Sequence, residues 1–467
     1  MEPDRNANDN VLKEPIFRFF ILIIIIERSM ASLFCVRTHP CRVTVKTDIK
    51  RFSTSAPPIH TKWYLRPLTY LISFPELLQH KVRLQRIGTE GLKPPYLLLC
   101  NHNAFFDFKV ATKAIWPACA NYVVAIDGFI KREKLLRDVG CIGKRKFTND
   151  ASLIFNLRKT VQNGDVAIIY PEARYSLCGT TAVLPRGLGQ LCKFLKVPVV
   201  TLICHGHHIN SPFWNLHNRK IAPTEAEMTL LFTPEELQNT PADEINRKIV
   251  EAFRYDDYRW QKERGIRVTY PKRAEGLHKV LYQCPACGAE FRMRSEGTKL
   301  FCGACGKSWT MTELGELQAD QGQNGFSHIP DWYEWERANV RKEVKNGTYN
   351  SGELSVTVDS LPNADGFIRL GKGIMIHDMN GFRVRGTDAD GEVFEMSKSV
   401  PSLYSCHIEY DYLGKHGDCV DLNTLEDTWY IYPDGDRFSV TKMALATEEL
   451  FFRYQKEKGT VCAPGLA

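Results

Sequence analysis

Tyr96-Leu97-Leu98-Leu99-Cys100-Asn101-His102-Asn103-Ala104-Phe105-Phe106-Asp107 is the stretch that decides the fold. Its apolar half, Tyr96–Cys100, reads as a buried strand, and the polar half carries His102 with Asp107 five positions later. A second string is built the same way: the apolar run Val166–Ile169, then Tyr170-Pro171-Glu172-Ala173-Arg174-Tyr175-Ser176. Ionisable residues placed where a buried strand gives way to a loop or helix are where α/β proteins usually hold their chemistry. An imidazole followed by a carboxylate at this spacing can be oriented as a general base for a hydroxyl. Taken alone the pair is weak, because a capping or core histidine gives the same pattern.

Outward from these strings, apolar β-type runs alternate with helical stretches. Tyr96–Cys100, Tyr122–Ala125, Val166–Tyr170, Val197–Cys204 and Met228–Phe232 are expected strands; Lys131–Val139, Asn149–Gln162, Leu188–Leu195 and Ala242–Phe253 are expected helices. The alternation predicts an α/β sandwich over residues 59–255. Trp63–Leu84 reads as helix, with Pro75 expected to split it. Its apolar face suits either core packing or an amphipathic pair lying in a headgroup region.

The order of the motifs carries more than any one of them. Asn101-His102 with Asp107, then Gly140-Cys141-Ile142-Gly143-Lys144-Arg145, then Tyr170-Pro171-Glu172, then Val197-Pro198-Val199-Val200 resembles the four blocks of the glycerolipid acyltransferase family, which includes the 1-acyl-glycerol-3-phosphate acyltransferases. The resemblance covers residues 64–253. It implies a glycerolipid-acyltransferase-type sandwich that moves a fatty acyl group from acyl-CoA or acyl-carrier protein to the hydroxyl of a lysophospholipid, most simply 1-acyl-glycerol-3-phosphate, in phospholipid biosynthesis. It implies His102 as the base and Asp107 as its orienting partner. Glu172, Arg145 and Arg174 would hold the acceptor's glycerol and phosphate, with Lys144 and Lys146 able to share the work. The bland alternatives are a helix-cap partner for Glu172 and a solvated surface role for either arginine. Ala104, Tyr175 and Thr201 depart from the usual blocks, and Arg174 stands one position early. These departures question the acceptor more than the reaction, so another lysolipid or an amino-lipid stays open. A non-catalytic membrane-surface scaffold is the reading from a different class.

Beyond a charged linker at 256–278, Cys284-Pro285-Ala286-Cys287 and Cys302-Gly303-Ala304-Cys305 stand fourteen residues apart, each pair followed by a glycine. Four thiolates at this spacing suit tetrahedral Zn²⁺, and residues 279–318 resemble a zinc ribbon. A structural ion is expected, since so short a segment cannot bury an adequate core without one. Iron in a rubredoxin-like site, or a redox dithiol, are the alternatives. The other cysteines, such as Cys100, Cys192 and Cys204, lie in apolar segments, so the fifteen cysteines imply a reducing compartment rather than a disulfide framework.

Residues 331–467 are β-rich: Leu354–Val358, Phe367–Leu370, Ile374–His377, Phe382–Arg385, Val393–Met396, Ser405–Tyr410, Cys419–Leu422 and Trp429–Tyr432, separated by Gly, Asn and Asp turns. With the terminal helix Val440–Lys456 they look like a pleckstrin-homology-type barrel or a related sandwich. His377 and His407 read as ordinary strand residues, and the domain's partner is left open.

Residues 61–220 hold 23 Lys and Arg against 9 Asp and Glu, a net of +14, whereas 331–467 hold 15 against 23, a net of −8. A basic half suits a phosphate-bearing substrate or an anionic membrane surface. The basic residues form no arm or Arg-rich helix, so nucleic acid is not an expected partner. The expected location is the cytoplasmic face of a membrane, peripherally bound. Residues 1–58 read as a disordered or non-native extension; Phe19–Ile26 is too short to span a bilayer, and the basic, Ser-rich stretch after it leaves organellar targeting open.

Overall fold

The computed structural model describes residues 49–414 and 416–459. The expectations for the segment before residue 49 therefore lie outside the described residues. From residue 49 the chain is already packed: Phe52 is buried against Phe129, its amide bonds to Pro362 O, and Arg51 pairs with Asp427. Arg51 and Phe52, which precede the expected boundary at 59, are thus held by partners as far apart in the chain as Phe129 and Asp427.

Seven strands form the first sheet: β1 Arg83–Ile87, β2 Leu97–Cys100, β3 Ala120–Ala125, β4 Ile142–Lys144, β5 Val166–Ile169, β6 Val199–His205 and β7 Glu225–Phe232. Their order is β1-β7-β6-β2-β5-β3-β4, with every pair parallel except β6 and β7. The central strands β2, β3 and β5 are buried along their whole length, which explains why they read as unbroken apolar runs. Strand β1 was not anticipated. It is an exposed edge strand, Arg-Leu-Gln-Arg-Ile, and carries no run or alternation to reveal it.

The expected helix before the sheet is a short 3-10 turn at Trp63–Leu65 followed by one helix, Arg66–Gln79. Pro75 lies inside that helix and does not split it. The carbonyl it leaves without an amide belongs to Leu71, on the exposed side, where the loss is least costly. Glu76 and the fully buried Lys109 Nζ, 2.7 Å apart, tie this helix to the one at Phe106–Ile115.

The linker at 256–278 is not a loose tether. Asp257–Glu263 is helical, with Tyr258 and Trp260 buried, and the Asp257 carboxylate accepts the amides of Gly206 (3.1 Å) and His208 (3.0 Å). The linker is thereby fastened to the end of β6.

The cysteine-bearing module is a four-stranded antiparallel sheet: β8 Met293–Glu296, β9 Lys299–Cys302, β10 Ser308–Met311 and β11 Leu317–Ala319. The helix Ile329–Asn346 packs on it, with the Trp309 and Trp332 rings 4.9 Å apart.

The third sheet is a half-barrel of β12 Leu354–Ser360, β13 Ile368–Asp378, β14 Gly381–Thr387, β15 Val393–Ser399, β16 His407–Glu409, β17 Cys419–Asn423 and β18 Thr428–Pro433. Its order is β15-β14-β13-β12-β18-β17-β16, antiparallel throughout. Two expected strands merge into β13. Gly371, which reads as a break, stays in the sheet because β14 approaches so closely that a Cβ there would lie 2.3 Å from Thr387 O. The helix Val440–Glu457 follows, capped by the Ser439 hydroxyl, and packs against Ile329–Asn346.

The half-barrel docks on the first domain. Leu361, Tyr412 and Tyr430 share one apolar cluster with Phe52, Phe129 and Ile126. Since β3, β4 and β5 end at Ala125, Lys144 and Ile169, the residues just beyond them meet the last domain at the carboxyl ends of the parallel strands: Asp127, Arg145 and Lys146 the half-barrel, Arg174 the helix Val440–Glu457.

Candidate active site

Asn101 closes β2 by exchanging two hydrogen bonds with the Cys204 backbone on β6, at 2.9 and 2.8 Å, and so fixes where the turn begins. His102 follows. Its Nδ1 lies 3.2 Å from Asp107 Oδ2, and the same oxygen accepts the amides of Asn103 (2.6 Å) and Ala104 (3.0 Å). Asp107 stands in the first turn of its helix, which favours an anion there. The other oxygen, Oδ1, bonds to Nδ1 of His207. Burial raises the Asp107 pKa, but the bonds from His102 and His207 outweigh it and bring the carboxyl down to about 2. A carboxylate only accepts, so both histidines carry their proton on Nδ1 and present Nε2 as the basic nitrogen.

Glu172 holds the turn from the far side. Its Oε2 accepts the His102 amide at 2.5 Å, and its Oε1 accepts the Ala182 amide at 2.7 Å. Burial pushes this carboxyl up to about 8, against the amide bonds that favour its charged form. Glu172 is thus a bracket between the His102 turn and the segment after β5, with both oxygens engaged by backbone. The ring of His102 lies between Tyr170 and Tyr175, each 4.4 Å away centroid to centroid. His102 is 0% exposed, and Asp107 and Glu172 are 1% exposed each.

The structure brings His102, Asp107 and Glu172 together, but it takes the expected acceptor-binding cations elsewhere. Arg145 gives Nη1 to Leu361 O and Thr428 Oγ1, and Nη2 to Pro362 O and Glu426 O, all at 2.8–2.9 Å. Arg174 Nη2 bonds Glu448 Oε1 at 2.7 Å. Lys146 sits between Asp127 (3.3 Å) and Asp421 (3.0 Å). Lys144 turns to Thr148, at 2.7 and 2.8 Å, and burial drags it down to about 7. The position of these residues beside buried strands was legible; the capture of Arg145 and Lys146 by the half-barrel and of Arg174 by the last helix was not.

His207 is the functional residue that sequence reasoning missed. It lies a hundred residues from Asp107, and the only signal was the His205-Gly206-His207-His208 run directly after an expected strand.

The four cysteines of the second module converge. Cys284 and Cys305 sulfurs are 3.8 Å apart, as are those of Cys287 and Cys302, and all four lie within 4.8 Å of one another. A tetrahedron of thiolates at ~2.3 Å from a central ion has edges of roughly 3.8 Å, so the group could hold a metal. Gly288 and Gly306, at φ +74° and +75°, close the turn behind each pair as their place in the sequence predicts. Of the two half-barrel histidines, His377 stacks on Phe382 at 3.7 Å, whereas His407 shares a buried group with Glu409 and Asp421.

No family model and no curated protein matches the sequence. Among solved structures, the chain is similar to the crystal structure of the 1-acyl-sn-glycerophosphate (LPA) acyltransferase PlsC from Thermotoga maritima, with a TM-score of 0.34 and 12% identity, over 41% of this chain and 77% of that one.

Proposed function

We propose that the protein is an acyltransferase that moves a fatty acyl group from an acyl thioester, of CoA or acyl-carrier protein, to the hydroxyl of a lysophospholipid, most simply 1-acyl-glycerol-3-phosphate. The observation that carries this reading is the Asp107 carboxylate on His102 Nδ1, itself held by two backbone amides and His207. His102 Nε2 takes the proton of the acceptor hydroxyl as its oxygen bonds to the thioester carbonyl carbon. The C–S bond then breaks, and the leaving thiolate takes the proton back from Nε2. Asp107 keeps the tautomer and stabilises the imidazolium between the two steps.

The exposed Trp63, Leu71, Phe74 and Leu78 support a peripheral membrane surface. No helix among the described residues is long and apolar enough to cross a membrane. The cysteine module is read as a structural zinc ribbon, remote from the chemistry.

The closure of the site supports a second reading, a non-catalytic membrane-surface scaffold, because His102 is out of reach of a bound substrate in this conformation. Purified protein with acyl-CoA and lysophosphatidate decides between the two. Acyl transfer that disappears in His102→Ala supports the enzyme; no transfer from folded wild type supports the scaffold.

A further inference from the structure

A cavity of about 620 Å³ lies between the helix Arg66–Gln79, the helix Phe106–Ile115 and the face of β3. Leu68, Ile72, Phe108, Ile115, Ala120 and Leu136 form apolar wall, and the volume is that of a small-molecule site. Two of its lining residues are charged, Arg66 and Arg132, and no acidic residue faces them across it. Arg132 Nε and Nη1 are buried without a hydrogen-bond partner among the described residues, as is Arg66 Nε. Arg66 Nη2 bonds His60 Nε2 at 2.7 Å, and that ring stands between the guanidinium and the Asp165 carboxylate, which acts on Arg66 only across it. Burial alone pulls Arg132 down to about 10, with no neighbouring charge acting on it.

Buried guanidinium nitrogens without a partner or counter-charge are costly, and an apolar cavity offers nothing to offset that cost. The chain of an acyl thioester inside this cavity would bring only methylene groups to Arg132. A ligand that relieves the cost must combine an apolar tail with an anionic head. Trp63 (79% exposed) and Leu71 (71% exposed) mark the side from which an amphiphile enters.

We propose that this cavity binds a long-chain fatty-acid anion, with its carboxylate on Arg132 and Arg66 and its chain along the apolar walls. A single carboxylate matches the site better than a phosphodiester with two chains, since the cavity presents two guanidinium groups, no lysine, and room in the range of one small ligand. The assignment stands on the cavity and its arginines, and it holds whether or not the chain transfers acyl groups.

Calorimetric titration of the full chain with laurate and with 1-dodecanol, equal in length and different in charge, tests it. Laurate should bind at one site at least about tenfold more tightly, the worth of hydrogen bonds to a charged group. Arg132→Leu should remove that preference and leave dodecanol binding in place. Leu68→Trp, which fills the cavity, should weaken both ligands. Equal affinities in the wild type, no laurate binding, or a preference that survives in folded Arg132→Leu overturns the proposal. Should neither variant fold, the two wild-type titrations decide. Phosphatidylglycerol vesicles serve as the last arm: Arg132-dependent vesicle binding without laurate binding would overturn the fatty-acid assignment in favour of a membrane headgroup.

Discussion

His207 Nδ1 donates to Asp107 Oδ1 across a hundred residues of chain, while Oδ2 of the same carboxylate receives His102 Nδ1. Asp107 is therefore shared between two imidazoles, and its orientation toward His102 depends on the strand β6 that delivers His207 from the opposite side. Removing His207 should loosen that orientation without touching the base itself. In the acyl-transfer assay, His207→Ala should lower kcat by about tenfold with little change in KM. His207→Asn, whose amide can still donate, should recover part of the loss. Unchanged kcat in His207→Ala would reduce His207 to a packing residue.

His102→Ala should remove roughly 10²–10⁴-fold of turnover while leaving the melting temperature near wild type, since general-base catalysis accounts for about that range. Asp107→Asn should fall nearly as far, because its amide can donate to the ring and favour the wrong tautomer.

Arg145→Ala is expected to act on domain docking before it acts on any substrate. The change leaves two buried carbonyls, the part-buried Glu426 carbonyl and the Thr428 hydroxyl without the Arg145 donor. A loss of about 3–5 kcal/mol is the scale for breaking a buried charged network. It should appear as an earlier unfolding transition and faster proteolysis between the two domains. A raised acceptor KM in a protein of unchanged stability would restore the phosphate-binding role expected from the motif.

Glu172 makes stability fall as pH rises. Its folded pKa, about 8, lies above the ordinary 4.5, so the folded state holds this proton more tightly. The contribution is fully present below about pH 4.5 and is lost as pH rises through 8. Asp257, also pushed up to about 8 by burial, adds to the same slope. Denaturant unfolding between pH 5 and 8.5 should show falling stability, and Glu172→Gln should flatten part of it. A rise over this window would mean that the Ala182 and His102 amides hold Glu172 as a carboxylate.

Metal analysis of protein purified without chelator should give one zinc per chain, lost when any of Cys284, Cys287, Cys302 or Cys305 becomes Ser. Removing the metal should unfold β8–β11 and leave the His102 turn intact, since no catalytic residue lies among the four cysteines. Iron in its place would keep the fold argument and change the ion alone.

What could be read from the sequence follows the range of the interactions. His102 and Asp107 were legible because five residues and one helix start bring them together. The four cysteines were legible for the same reason, with each knuckle a local turn. The core strands announced themselves as apolar runs, while β1, polar and at the edge, did not. Arg145 reaches Thr428 across 283 residues, and no local pattern could foretell that a carbonyl-rich edge would claim it before a phosphate could. His207 was hidden in the same way, since its partner is set by β6 lying beside β2.

The Arg174–Glu448 pair joins residues 274 apart, and this distance is also a delay. At synthesis rates of about 5–20 residues per second, roughly 15–55 s separate the two on the ribosome. Throughout that interval the nascent first domain holds Arg145 and Arg174 without the partners that the later chain brings. Every molecule thus begins life with these two guanidinium groups in water, and the last described helix is the part that takes up Arg174.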